Sequence, residues 1–151
     1  MKKTLFLYGV FLFLILQSCN SGIKSVYRDD FRSADEAEKE KILKEVKASK
    51  SNMSILFLTQ IYKGEKIIIA QNGKTIYTEY PITNLNTRIA DYLSFNNQQD
   101  VVIKDGNFQK KEIIIPAKKS SQYKYIYLMK KVNKGKFQFI ITYSNTLRPL
   151  K

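Results

Sequence analysis

The chain has 151 residues, with 26 Lys and Arg against 13 Asp and Glu, one Cys, and neither His nor Trp. Without His there is no imidazole general base, no Ser–His or Cys–His nucleophile and no His metal ligand, and one Cys cannot build a thiolate metal site. It also cannot close an internal disulfide, so the fold must rest on packing alone.

Met1-Lys2-Lys3 precedes an uncharged apolar run from Leu5 to Leu16, followed by Gln17-Ser18-Cys19. A helix over that run would reach about 18 Å, short of the roughly 30 Å hydrocarbon core of a bilayer. The stretch therefore predicts an export signal rather than a permanent span. Leu16-Gln17-Ser18-Cys19 resembles the lipobox of bacterial lipoproteins, with Gln17 standing where small or aliphatic residues are commoner. The resemblance implies cleavage before Cys19, a diacylglyceryl group on its sulfur and an acylated new amino terminus. Each buried CH₂ contributes roughly 0.8 kcal/mol, and stable anchoring takes more than one acyl chain, which a lipobox supplies. The expected location is the bacterial cell envelope, on the outer membrane facing the periplasm, with cell-surface exposure as the alternative.

The expected organisation is a signal peptide over 1–18, a lipidated tether over 19–32, a helix over 33–50 and a sandwich domain over 51–151. Loss of the signal, with Lys2 and Lys3, lowers the formal charge from +13 to +11. That charge is unevenly placed. Residues 19–52 sum to +1 and residues 53–109 to zero, whereas residues 110–151 carry eleven bases against Glu112 alone.

Asn20 to Arg32 is polar and aperiodic, which predicts a tether. Arg28-Asp29-Asp30 resembles, at a distance, the short acidic surface-export signal of some Bacteroidetes-type lipoproteins. Those acids follow the cysteine directly, so a solvated linker pair is the better reading. Ser33 to Lys50 predicts a helix. Ser33 and Glu36 form a capping box, and acids crowd the first turns while Lys44, Lys47 and Lys50 sit late, as the helix dipole favours. Ala37, Ile42, Leu43 and Val46 give a thin stripe for packing on a domain.

From Met53 the period changes. Met53 to Tyr62 is apolar on both faces, which predicts a central or doubly covered strand. Lys66–Ala70 and Thr75–Tyr80 flank Asn72-Gly73, a strong type I′ hairpin signal. Arg88–Phe95 reads as a short strand or helical turn, with Ile89, Tyr92 and Leu93 pointing inward. Val101–Lys104 and Glu112–Ile115 surround Asp105-Gly106-Asn107, a turn. Gln122–Lys131 and Lys136–Ser144 form the clearest hairpin, joined by residues 132–135. Its aromatic rows, Tyr123, Tyr125 and Tyr127 on one strand and Phe137, Phe139 and Tyr143 on the other, are expected to face each other. They read better as half of a core than as a stacking platform. Seven to eight short strands, with turn signals roughly every 8–12 residues, predict an antiparallel β-sandwich, immunoglobulin-like or similar, behind one amphipathic helix. In composition, and in the segments Ile126-Tyr127-Leu128 and Ile141-Thr142-Tyr143-Ser144-Asn145, the chain resembles small Bacteroidetes-type lipoproteins. That resemblance implies no activity.

The remaining acid–base candidates are Glu65, Glu79, Asp91, Asp100, Asp105 and Glu112. A glycosidase needs two carboxylates roughly 5–9 Å apart across a cleft, and no motif singles out a pair. There is no phosphate loop, nucleophile elbow or zinc spacing. The reading is therefore a non-enzymatic binding or structural module that takes no cofactor and no metal, with a small envelope hydrolase as the alternative. Lys130, Lys131, Lys134 and Lys136 are expected to crowd one end of the sandwich. Such a cluster attracts anionic lipid, lipopolysaccharide or an acidic protein face. Nucleic acid would be drawn too, but an exported chain is not expected to meet it. The simpler reading is a soluble lysine-rich surface that guards strand edges.

Overall fold

The computed structural model describes residues 22–108 and 111–150. Met53–Leu58 (β2) is buried along almost its whole length. Its even residues, Leu56 and Leu58, join one apolar cluster, and its odd residues, Ile55 and Phe57, join another. The period-2 alternation of a strand requires that split. A strand buried on both faces must lie between two layers, and β2 is indeed an interior strand, flanked on both sides.

The other strands are β1 (Ile23–Tyr27), β3 (Ile67–Gln71), β4 (Lys74–Glu79), β5 (Asp91–Asn96), β6 (Val101–Asp105), β7 (Glu112–Ile115), β8 (Tyr125–Asn133) and β9 (Lys136–Ser144). They form a five-stranded sheet in the order β1-β9-β8-β2-β5 and a four-stranded sheet in the order β4-β3-β6-β7. The main core, including Ile67, Ile69, Ile103, Ile113, Ile126, Leu128 and Ile141, lies between them. The expected mainly-β sandwich is present. Two pairings, β1 with β9 and β2 with β8, are parallel, so the larger sheet is mixed.

The helix α1 (Glu36–Glu45) covers the outer face of the larger sheet, where Ile42 meets a second cluster with Ile55, Phe57, Tyr125, Tyr127 and Leu147. It is shorter than the expected 33–50. Asp35, not Ser33, caps its start by accepting from the Glu38 N–H at 2.7 Å. Its end is a Schellman motif: the Ala48 N–H donates to Leu43 O and the Lys47 N–H to Lys44 O. Lys47 takes the left-handed position (φ 56) that glycine usually fills. No glycine marks the stop, so the pattern alone runs past it. A second, one-turn helix, α2 (Ala117–Ser120), follows Pro116.

Ile23–Tyr27, expected within the tether, is instead an edge strand alongside β9, in register from Ile23↔Phe139 to Tyr27↔Tyr143. Asp29, expected as a solvated linker charge, accepts from the Ser144 hydroxyl at 2.8 Å and the Asn145 N–H. Those bonds hold its carboxyl below the usual carboxylate range.

The β8–β9 loop is also tighter than expected. Asn133 pairs with Lys136, leaving Lys134 (φ 49) and Gly135 (φ 75) as a two-residue turn of the same type as Asn72-Gly73. In this register Ile126 faces Tyr143 and Lys130 faces Phe139, while Tyr125 faces Ser144 and Tyr127 faces Thr142. Tyr125 and Tyr127 therefore lie on the opposite face of the sheet from Phe139 and Tyr143, not against them as expected, whereas Tyr123, just before β8, packs against Tyr143 with ring centroids 5.6 Å apart. Phe139 and Tyr143 enter the core between the sheets, and Tyr125 and Tyr127 pack in the outer cluster with the helix.

Candidate functional site

Lys130 is fully buried, whereas Lys131, Lys134 and Lys136 are exposed. Strand parity decides this. Ile126, Leu128 and Lys130 are spaced by two and point between the sheets, while Lys131 points out. The expected cluster of turn lysines thus loses Lys130 to the core and keeps Lys131, Lys134 and Lys136 around the tip. Val132, also at the tip, is 53% exposed.

A buried ammonium requires partners, and Lys130 has two. Its Nζ pairs with Glu65 Oε1 and, at 2.7 Å, with Asp105 Oδ2, and both carboxylate side chains are almost wholly buried. It also lies over the Tyr62 ring at 4.5 Å, with Phe137 and Phe139 nearby. Burial pushes the ammonium down to about 8 and the Asp105 carboxyl upward. Glu65 stands just before β3, Asp105 ends β6 and Lys130 lies near the end of β8. The cluster therefore joins both sheets at one end of the sandwich, directly beneath the basic tip.

This cluster was the site that sequence reasoning missed. Its signal was present: a lysine in phase with Ile126 and Leu128 has to be buried, and a buried lysine has to find carboxylates. Of the acid–base candidates, only Glu65 and Asp105 converge among the described residues, and they do so around an ammonium sealed from solvent rather than across a cleft. Asp91 accepts from the Tyr77 hydroxyl at 2.6 Å. Asp100 accepts from the Ala117 N–H, Glu112 pairs with Lys104 at 3.2 Å and Glu79 is exposed. No group of three metal-ligating side chains occurs among the described residues.

The chain enters the fold at the same end. The Gly22 carbonyl accepts from the Phe139 N–H at 2.7 Å, and Gly22 packs against the Phe137 carbonyl and the Phe108 ring. Gly22 has φ +67, so a side chain there would be strained. Gly22, Lys24, Lys131, Gln138 and Ile140 line a hollow of about 280 Å³ on the outer face beside the tip. Lys111 lies over the Phe108 ring at 5.8 Å and adds a further base nearby.

No protein-family model, curated protein or solved structure matches this chain. Fold and charge placement are therefore what bear on function. Cys19 and the expected lipobox, Leu16-Gln17-Ser18-Cys19, lie outside the described residues. Among the described residues no helix is long and apolar enough to cross a membrane.

Proposed function

We propose that the chain is a lipid-anchored lipoprotein of the bacterial cell envelope, held through Cys19, probing an anionic envelope component or an acidic protein face with its basic end. In this reading the sandwich is a non-enzymatic binding or structural module on the outer membrane, facing the periplasm. The observation that carries the binding half is the tip itself. Lys131, Lys134 and Lys136 are exposed on one two-residue hairpin, while the cluster beneath them sets two carboxylates, Glu65 and Asp105, against the one ammonium of Lys130. At most one negative charge therefore offsets the three exposed lysines, and the tip stays net positive. The anchoring half rests on Leu16-Gln17-Ser18-Cys19.

Two measurements test the reading. Labelled palmitate should enter the native chain and not the Cys19→Ala variant; equal labelling of both would end the lipoprotein reading. A soluble chain that starts at residue 20 should sediment with vesicles of anionic lipid or with lipopolysaccharide at low salt and be released at high salt. Replacing Lys131, Lys134 and Lys136 by Gln should abolish most of that binding. If the triple variant binds as well as its parent, the tip is only a soluble surface.

A further inference from the structure

The basic tip and the point where the chain enters the fold are the same end of the molecule, and this fixes an orientation. Resting on the lipoprotein reading above, we propose that the β8–β9 tip docks onto anionic phospholipid head groups of the leaflet that holds the protein's own acyl chains.

Cys19 precedes Gly22 by three residues, and three residues span at most about 11 Å. Gly22 is fixed to β9 through the Phe139 N–H and abuts Phe137, one residue beyond Lys136. An anchor on Cys19 therefore keeps the tip within a short reach of the bilayer surface. The opposite end, with Ser51, Asn97 and Asn145, lies the length of the strands away, because β2 and β8 both start there and run toward the tip. The parallel β1–β9 pairing carries the same consequence: β1 begins at Phe139, near the tip, and runs away from it.

The end nearest the lipid is also the basic one. Lys24 and Lys131 line the hollow beside Gly22, Lys134 and Lys136 flank the turn, and Lys111 lies close by over Phe108. Of the acids at this end, Glu112 pairs with Lys104, while Glu65 and Asp105 share Lys130 and leave at most one negative charge against Lys24, Lys111, Lys131, Lys134 and Lys136. Val132 adds an exposed apolar side chain at the tip, suited to the head-group boundary. Each lysine attracts an anionic surface only weakly. The tether makes the encounter intramolecular, so a weak attraction suffices to hold the orientation.

The test uses the purified, lipidated protein in phosphatidylcholine vesicles with or without phosphatidylglycerol. With Cys19 acylated, a single engineered cysteine takes an environment-sensitive dye at Val132→Cys or Lys134→Cys on the tip, or at Ser51→Cys on the far end. Brominated acyl chains serve as quenchers. On phosphatidylglycerol vesicles the dyes at 132 and 134 should shift to the blue and lose most of their emission, while the dye at 51 stays water-like. High salt, or Lys131, Lys134 and Lys136 replaced by Gln in the Val132→Cys chain, should restore emission while the protein still floats with the vesicles. Matching near-ultraviolet circular dichroism shows that the variants are folded. Tip dyes no more quenched than the dye at 51, or equally quenched without phosphatidylglycerol, overturn the orientation and leave the anchor standing. Failure to float or to carry palmitate overturns both.

Discussion

Replacing Lys130 by Met removes the ammonium but leaves Glu65 and Asp105 buried and facing each other. At 2.7 Å, with an effective dielectric of about 20, the Lys130–Asp105 attraction is about 6 kcal/mol. Stripping water from the ions costs several kcal/mol for each, so the intact cluster stands near balance and contributes little net stability. The variant keeps the desolvation of both carboxylates, loses the attraction and adds their repulsion. The expected loss at pH 7 is about 3–5 kcal/mol, against a total of about 5–15 kcal/mol for a domain. Urea unfolding at pH 7 and pH 5 measures it. The penalty should shrink at pH 5, where the unpaired carboxylates take up protons and stop repelling. Adding Glu65→Gln and Asp105→Asn to Lys130→Met should recover most of the loss. A Lys130→Met effect within about 0.5 kcal/mol at pH 7, as at an ordinary surface position, would refute the burial argument, and so would a penalty that does not fall with acid.

The Asp29 carboxyl is held below its usual 3.8 by bonds from Ser144 and Asn145, so it contributes stability at neutral pH that is lost as pH falls through the acid range. Asp29→Asn should be less stable than the parent at neutral pH, with the gap closing as pH falls below 3.8; a constant gap would discount the carboxylate. Ile126 and Ile141 are buried between the sheets, and changing either to Ala should cost about 2–5 kcal/mol in denaturant unfolding. Lys47→Gly should stabilise the fold by up to about 1 kcal/mol, since lysine bears a left-handed penalty there that glycine does not. Lys124 donates to the carbonyls of Ala48 (2.5 Å), Lys50 (2.9 Å) and Met53 (2.8 Å). Lys124→Met should expose or orphan those carbonyls and cost about 1–3 kcal/mol; hydrogen exchange in residues 48–53 would show whether the loop loosens.

Much of the sandwich was legible because short-range chemistry wrote it. Asn72-Gly73 marks its hairpin through the positive φ angles it accepts, and the two-sided apolarity of Met53 to Tyr62 announces an interior strand, which ends at Leu58, short of the expected Tyr62. Glu112–Ile115 and Lys136–Ser144 have the bounds their pattern predicts. The misses share one cause: partners distant in sequence. Ile23–Tyr27 has no strong alternation, and its strand is made by β9, more than a hundred residues on. The facing of the aromatic rows fails on parity: any loop with an even number of residues pairs odd positions of β8 with even positions of β9, so Tyr125 and Tyr127 do not oppose Phe139 and Tyr143. Lys130 was grouped with its neighbours in sequence rather than with Leu128, its neighbour on the sheet face. Lys131, Lys134 and Lys136 lie beyond the core and are exposed at the tip.

The pairing of β1 with β9 also imposes an order of assembly. The four-stranded sheet is built from residues 67–115 alone, so its hairpins can close while synthesis is still under way. The five-stranded sheet draws β1 and β2 from the front of the chain and β8 and β9 from its end, and its contacts span the longest loops in the molecule. Such pairings are slow because loop closure comes before any reward. A chain emerging from its amino terminus therefore holds β1 unpaired until β9 arrives, whereas β2 can pair with β5 earlier. Until β9 arrives, β1 has no partner strand. The last strand to appear then fastens the first one down, and the long leash becomes the short one seen at Gly22.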